Sequence, residues 1–271
     1  MSQILEQWVN GNGFPNTLVI DGHVHTGAWP HAATFKSTDE AVSSSLKYLD
    51  ANGIDAFCSL SGGYMIGLDD YHLGNDALLA LWERLPDKLI PFMCVNANDN
   101  QSNIIAELKR MYAAGVRCIK LINHYQEEYP GDGPNLMVLY EYAATNKMLI
   151  INHSWSEDEI NKIASTYRDI DFIFAHYNGD YQDRILKKYD NVYTNIWNYG
   201  PMGWLDSGIK EVGAGKFMFG SDGFLNSMTV GIGPVVFANI TDEEKRLVLG
   251  KTIGRLLDKV GALPKSLKVQ L

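Results

Sequence analysis

The sequence is poor in what several protein classes require. Its 271 residues include only three cysteines, Cys58, Cys94 and Cys118. They are dispersed, form no Cys-X-X-Cys pair, and each lies in an apolar stretch. That argues against a disulfide framework and against a thiolate metal cluster, and it suits reduced, buried thiols. Positive charge is also short: 23 lysines and arginines stand against 32 aspartates and glutamates, a formal net charge of -9 at pH 7. A nucleic-acid or anionic-membrane partner needs a basic face, so neither is expected. No apolar run approaches the roughly 20 residues that span a bilayer. The start, Met1-Ser2-Gln3-Ile4-Leu5-Glu6, has no basic segment followed by an apolar core. No signal peptide is therefore expected, and the reading is a cytoplasmic protein. No Gly-X-Gly-X-X-Gly follows the first apolar stretch, so a dinucleotide loop is missing there.

What remains is the composition of an ordinary globular chain, 46% hydrophobic and 20% charged. After a short amphipathic lead-in (residues 1–17), apolar strands and helical patterns alternate. The strands are expected over Leu18–His23, Ile54–Leu60, Leu89–Asn96, Val116–Ile122, Met148–Asn152, Phe172–Ala175, Val192–Ile196 and Lys216–Gly220. Between them fall a helix opened by Ser37-Thr38-Asp39-Glu40 and helices over Asn75–Leu85, Ser102–Ala114, Leu136–Asn146, Ser156–Tyr167 and Gln182–Tyr189. Two more helical stretches, near Asp242–Leu249 and Ile253–Val260, finish the chain. Short apolar strands separated by helices imply parallel pairing. Eight such units in about 250 residues predict an α/β fold, a single-domain (β/α)₈ TIM barrel over residues 1–271. An open doubly wound sheet is the alternative.

In such a barrel the active site forms at the C-terminal ends of the strands. The first strand runs Val19-Ile20-Asp21-Gly22-His23-Val24-His25. Alternation along a strand puts His23 and His25 on one side, where two imidazoles can grip one metal ion. The fifth strand ends in His153, the sixth in His176 and the eighth in Gly220-Ser221-Asp222. A lone strand-end histidine is usually a hydrogen-bonded structural residue, and Asp222 alone could cap a helix or make a turn. Five metal-capable side chains at equivalent topological positions make a divalent metal site the better reading. Zinc comes first, with manganese or iron as alternatives.

These residues resemble the amidohydrolase superfamily, in the branch of small lactonases and carboxymuconate-semialdehyde-type decarboxylases. The resemblance rests on Ile20-Asp21-Gly22-His23-Val24-His25, Gly115-Val116-Arg117-Cys118-Ile119-Lys120-Leu121, Ile151-Asn152-His153, Phe174-Ala175-His176 and Phe219-Gly220-Ser221-Asp222. The helix Leu249-Gly250-Lys251-Thr252-Ile253-Gly254-Arg255-Leu256-Leu257 resembles the family's closing helix. The resemblance implies that His23, His25, His153 and Asp222 hold the metal. It implies that Asp222 also takes the proton from water, and that His176 bonds the water, polarises substrate, or binds a second metal. Two departures stand out: His176-Tyr177-Asn178-Gly179 where the family has His-Leu-Gly-Gly, and Lys251-Thr252 where Gly-Asn is usual.

In binuclear relatives a strand-four lysine is carboxylated and bridges two metals; for Lys120, which lies in the fourth strand, a structural or substrate-facing role is the preferred reading. His124, near the same strand end, either touches substrate or is a plain loop residue. Trp29, Tyr64, Trp155, Tyr177 and Trp197 are expected at an aromatic rim. Arginine, the usual bidentate partner of carboxylate, has no evident place at a strand end. The expected activity is therefore hydrolysis of a lactone, ester or amide of a small molecule by metal-activated water. The alternative is a metal-dependent decarboxylase on the same scaffold. The expected partner is the small-molecule substrate, and a homo-oligomer is left open.

Overall fold

The computed structural model describes residues 2–27, 35–60, 71–197 and 203–271. One sheet of parallel strands runs in the order β1-β2-β3-β4-β5-β6-β7-β8. The strands are β1 Ile20–His25, β2 Ala56–Leu60, β3 Leu89–Cys94, β4 Cys118–Leu121, β5 Leu149–Asn152, β6 Phe172–Phe174, β7 Val192–Asn195 and β8 Phe217–Met218. Backbone hydrogen bonds close the ring between β1 and the segment after β8: Gly22 N to Phe219 O (2.9 Å), His25 N to Gly223 O (2.9 Å) and Gly223 N to His23 O (3.3 Å). The fold is a TIM barrel.

Parallel strands covered on both faces need apolar side chains on both, which explains the near-continuous hydrophobic runs. Ile20, Cys58, Phe92, Cys118, Ile151 and Met218 fill the interior. Val19, Phe57, Ile119, Ile150, Phe172 and Phe217 alternate with them and meet the surrounding helices. All three cysteines are buried and free.

The helices are α1 Gln3–Val9, α2 Thr38–Asn52, α3 Tyr71–Arg84, α4 Gln101–Ala113, α5 Pro134–Asn146, α6 Glu157–Thr166, α7 Tyr181–Lys188, α8 Trp204–Val212, α9 Met228–Val236, α10 Asp242–Arg246 and α11 Thr252–Lys259. Their starts follow the capping signals. Ser37 caps α2, and Ser156 with Glu159 forms a reciprocal capping box on α6. Two helices escape the sequence reading. In α9 the run Gly231-Ile232-Gly233-Pro234 carries helix breakers, yet an apolar face docked on the barrel holds it helical. In α8 Gly208 interrupts the pattern similarly. The two final helical stretches are one rod: a π-helical segment, Leu247–Lys251, joins α10 to α11. Ile253, Leu256 and Leu257 of α11 join the barrel's interior cluster beside Leu18 and Ile20.

The π segment brings Gly250 against the start of β1. A Cβ there would lie 2.2 Å from Leu18 O, a backbone atom that cannot step aside. Gly250→Ala should therefore destabilise the protein by about 2 kcal/mol or more. A urea-unfolding midpoint equal to that of the unmodified protein would contradict this packing.

Candidate metal centre

β1 carries one extra residue relative to β2, because the pairing shifts register between Asp21 and Val24. A bulge of this kind re-aims side chains. Ile20 and, beyond the bulge, both His23 and His25 thereby face inward. The strand also continues to His25, two residues past its expected end, because Gly223 supplies backbone partners on the other side.

Asp222 reaches the same point from the end of β8. His23 Nε2 lies 3.2 Å from His25 Nε2. Asp222 Oδ1 is 2.8 Å from His25 Nε2 and 3.5 Å from His23 Nε2. Ligands held about 2.0–2.2 Å from one tetrahedral ion stand roughly 3.3 Å apart, so this triangle has the size of one face of a zinc polyhedron. Among the described residues the buried His176 Nδ1 has no hydrogen-bond partner. His23, His176 and Asp222 bring one donor atom each within 4.8 Å of one another. The donor set is nitrogen and carboxylate oxygen, which suits a divalent transition metal.

The amidohydrolase sequence profile matches residues 20–259. The chain belongs to the amidohydrolase family. None of the curated proteins matches the chain. An uncharacterised TIM-barrel protein from Bordetella bronchiseptica superposes with a TM-score of 0.72 at 17% identity, over 90% of this chain and 99% of that one. 5-Carboxyvanillate decarboxylase from Sphingomonas paucimobilis gives a TM-score of 0.68 at 11% identity, over 89% and 99% of the two chains. 4-Oxalomesaconate hydratase from Rhodopseudomonas palustris gives 0.67 at 14% identity, over 92% and 98%. At these identities the likeness is one of fold.

The electrostatics keep the His23, His153 and His176 imidazoles neutral, with a lone pair on each ring. Burial pushes the His23 pKa well below the ordinary range, with Lys120 adding to the effect. Burial and Lys120 also lower His153, and burial takes His176 down to about 3 against the opposing pull of Asp222. Burial works against the Asp222 carboxylate, but His25, His176 and Lys120 outweigh it and hold its pKa below the usual value. Neutral histidines beside an ionised carboxylate are the protonation states that a cation needs. His176 and Asp222 both sit at positive φ, 68° and 59°. Non-glycine residues hold such a backbone only where the surroundings over-determine it, and such strain clusters at functional sites.

His153 stands next to this group: its ring lies 4.5 Å from that of His176 and 4.6 Å from that of His124. His124 Nδ1 is 2.9 Å from Ser154 Oγ, at the mouth of the barrel. Lys120 lies between the inward-facing Cys118 and Ile122. Its Nζ is fully buried without a hydrogen-bond partner among the described residues, and burial lowers its pKa to about 7. Its charge acts on Asp222 and on four histidines, His23, His124, His153 and His176.

The Trp197 ring lies 4.3 Å from the His176 ring, tilted by 50° to it, so this rim aromatic borders the cluster. Trp155 is placed elsewhere, which corrects the expectation, and Tyr177 is buried but lines one cavity with Trp197. Trp155 is 1% exposed; it packs against Phe172 and Phe174 on the outer face of β6 and donates to Tyr140 Oη. Tyr177 packs against Trp204 and Phe217, with its hydroxyl on Asp183. Both follow a strand-end histidine closely, but an aromatic ring gains more from the layer between barrel and helices than from solvent. Trp29 and Tyr64 lie outside the described residues.

Two supporting residues were missed in the sequence. Asp21 accepts from His23 N (3.1 Å), Ser221 N (2.9 Å) and Ser221 Oγ. Asn195 connects His23 to His176 N. A polar residue within an apolar strand was the available signal for both.

A cation bound only by the folded chain stabilises it, by about 2.7 kcal/mol at a hundredfold excess over Kd. Zinc should accordingly raise the calorimetric unfolding temperature by roughly 5–10 °C. In His25→Ala the increment should largely vanish. An equal shift in both proteins would place zinc elsewhere.

Proposed function

We propose that the protein is a metal-dependent hydrolase acting on a lactone, ester or amide of a small, neutral or singly charged molecule. The observation that carries this reading is the ionised Asp222, whose Oδ1 converges with two imidazole nitrogens at the open end of the barrel. His23, His25 and Asp222 would hold the cation, with His176 or His153 completing the set. When bound, a zinc, manganese or iron ion supplies Lewis acidity, which polarises a carbonyl and brings the pKa of water from 15.7 to about 7.

The chain's own groups supply the rest. Asp222 is the base that takes the proton of the attacking water and returns it to the leaving group. Asn226 Nδ2 holds the other oxygen, Oδ2, at 3.1 Å and fixes the carboxylate plane. His176, steadied by Trp197, faces the reacting carbonyl with an unpartnered nitrogen. Arginines give no support to a polyanionic substrate: Arg84, Arg110, Arg184 and Arg246 pair with surface carboxylates, Arg117 precedes β4, and Arg168 and Arg255 are exposed, after α6 and on α11.

One observation favours a second reading, decarboxylation. The unpartnered Lys120 amine inside the barrel could hold a substrate carboxylate, and the similar folds include a decarboxylase.

Products separate the two. With a panel of lactones, esters and aryl carboxylates in ¹⁸O-water, the hydrolase reading predicts one ¹⁸O in the acid formed and no CO₂. Release of CO₂ without ¹⁸O uptake would contradict it in favour of the lyase. Asp222→Asn should lower kcat about 10²–10⁴-fold, the usual contribution of a positioned base.

A further inference from the structure

Asn195 ends β7 and is completely buried. Its side-chain amide has two neighbours. Oδ1 accepts from the backbone N–H of His176 at 2.9 Å, and Nδ2 lies 3.0 Å from His23 Nδ1. Gly220 makes room for this meeting: a Cβ there would come within 2.9 Å of His23 Cβ and 3.2 Å of Asn195 Cγ. The amide orientation is not arbitrary. A backbone N–H can only donate, so the oxygen faces His176 and the NH₂ faces the imidazole. An NH₂ group can only donate, so His23 Nδ1 accepts. A neutral imidazole then carries its proton on Nε2. Nε2 is the atom that meets His25 Nε2 and Asp222 Oδ1.

A metal-bound histidine needs the opposite arrangement. The metal takes the bare nitrogen, and the other nitrogen donates its N–H to an acceptor that orients the ring. His176 N–H and a metal-ready His23 Nδ1–H thus both require the one oxygen of Asn195.

We propose that Asn195 is a positioning residue that sets the tautomer of His23 and keeps cation affinity below what the same ligands could reach. In the metal-free chain His23 is the Nε2–H tautomer. Cation binding moves that proton to Nδ1, with the ring neutral before and after, and breaks one of the two Asn195 hydrogen bonds. An aspartate at this position offers two acceptor oxygens, one for each N–H. This inference rests on the proposed metal-binding role of His23.

Two measurements on the full chain test it without reference to turnover. The first is the ¹⁵N–¹H imidazole correlation spectrum of chelator-treated protein, with His23 assigned by its loss in His23→Gln. The expected result is His23 protonated on Nε2; protonation on Nδ1 would overturn the inference, and this reading stands even if a variant fails to fold. The second is zinc affinity by chelator competition. Asn195→Asp should bind at least about tenfold more tightly, the scale on which outer partners tune metal sites. Unchanged or weaker zinc binding by a folded Asn195→Asp would overturn the proposal. If neither protein binds zinc, the metal reading fails and the inference falls with it, a result distinct from loss of the affinity difference alone.

Discussion

The buried carboxylate of Asp21 is the interaction on which the site depends. It sits at the bulge of β1 and gathers the backbone N–H of His23 together with the N–H and hydroxyl of Ser221. One side chain thus ties the first strand to the segment after the last. The residues beside those contacts are His23 and Asp222, so the clamp that closes the barrel also sets the distance between two candidate ligands. Burial pushes the Asp21 pKa up to about 7 although three donors stabilise its charge. Such a group is retained because its partners are geometrically required; removing any one of them leaves a buried polar atom unsatisfied.

The same burial shapes the chemistry above the clamp. Desolvation keeps His23, His153 and His176 in their neutral, singly protonated form. Asp222 stays ionised because imidazoles and the Lys120 amine surround it. The result is a set of neutral imidazoles around an ionised carboxylate, lodged where the barrel opens. Folding supplies the order: the apolar layers around the strands hold His176 and Asp222 in left-handed backbone conformations that neither residue adopts readily alone. Outside this centre the polar groups are largely paired. Glu107 is shared by Asn75, His72 and Arg110, and Lys245 is anchored on Ser2 and Val236. The unpartnered nitrogens of Lys120 and His176 contrast with that pattern.

Much of the barrel was legible because its two periods are local. Runs such as Leu149-Ile150-Ile151-Asn152 can only be buried strands, and Ser156 with Glu159 announces a helix by its own hydrogen bonds. The histidines and Asp222 were legible because polar side chains at the ends of buried strands need a use. What escaped depends on contacts far apart in sequence. The bulge that turns His23 inward exists only against β2. The extension of β1 to His25 needs Gly223, and α9 is helical only because the barrel offers its apolar face a seat. Trp155 looks like a rim residue by position, but it packs against Phe172 and Phe174 in the layer outside the strands. Asn195 is one amide among many until His23 and His176 are brought to it.

The central claim is that one divalent cation is held by imidazole and carboxylate at the mouth of this barrel. X-ray absorption at the metal edge of protein loaded with one equivalent of zinc tests it most directly. The account predicts a nitrogen and oxygen shell at about 2.0–2.2 Å, with imidazole scattering and no sulfur. A sulfur shell near 2.3 Å, or an unchanged spectrum after both His23 and His25 are replaced by alanine, would contradict it.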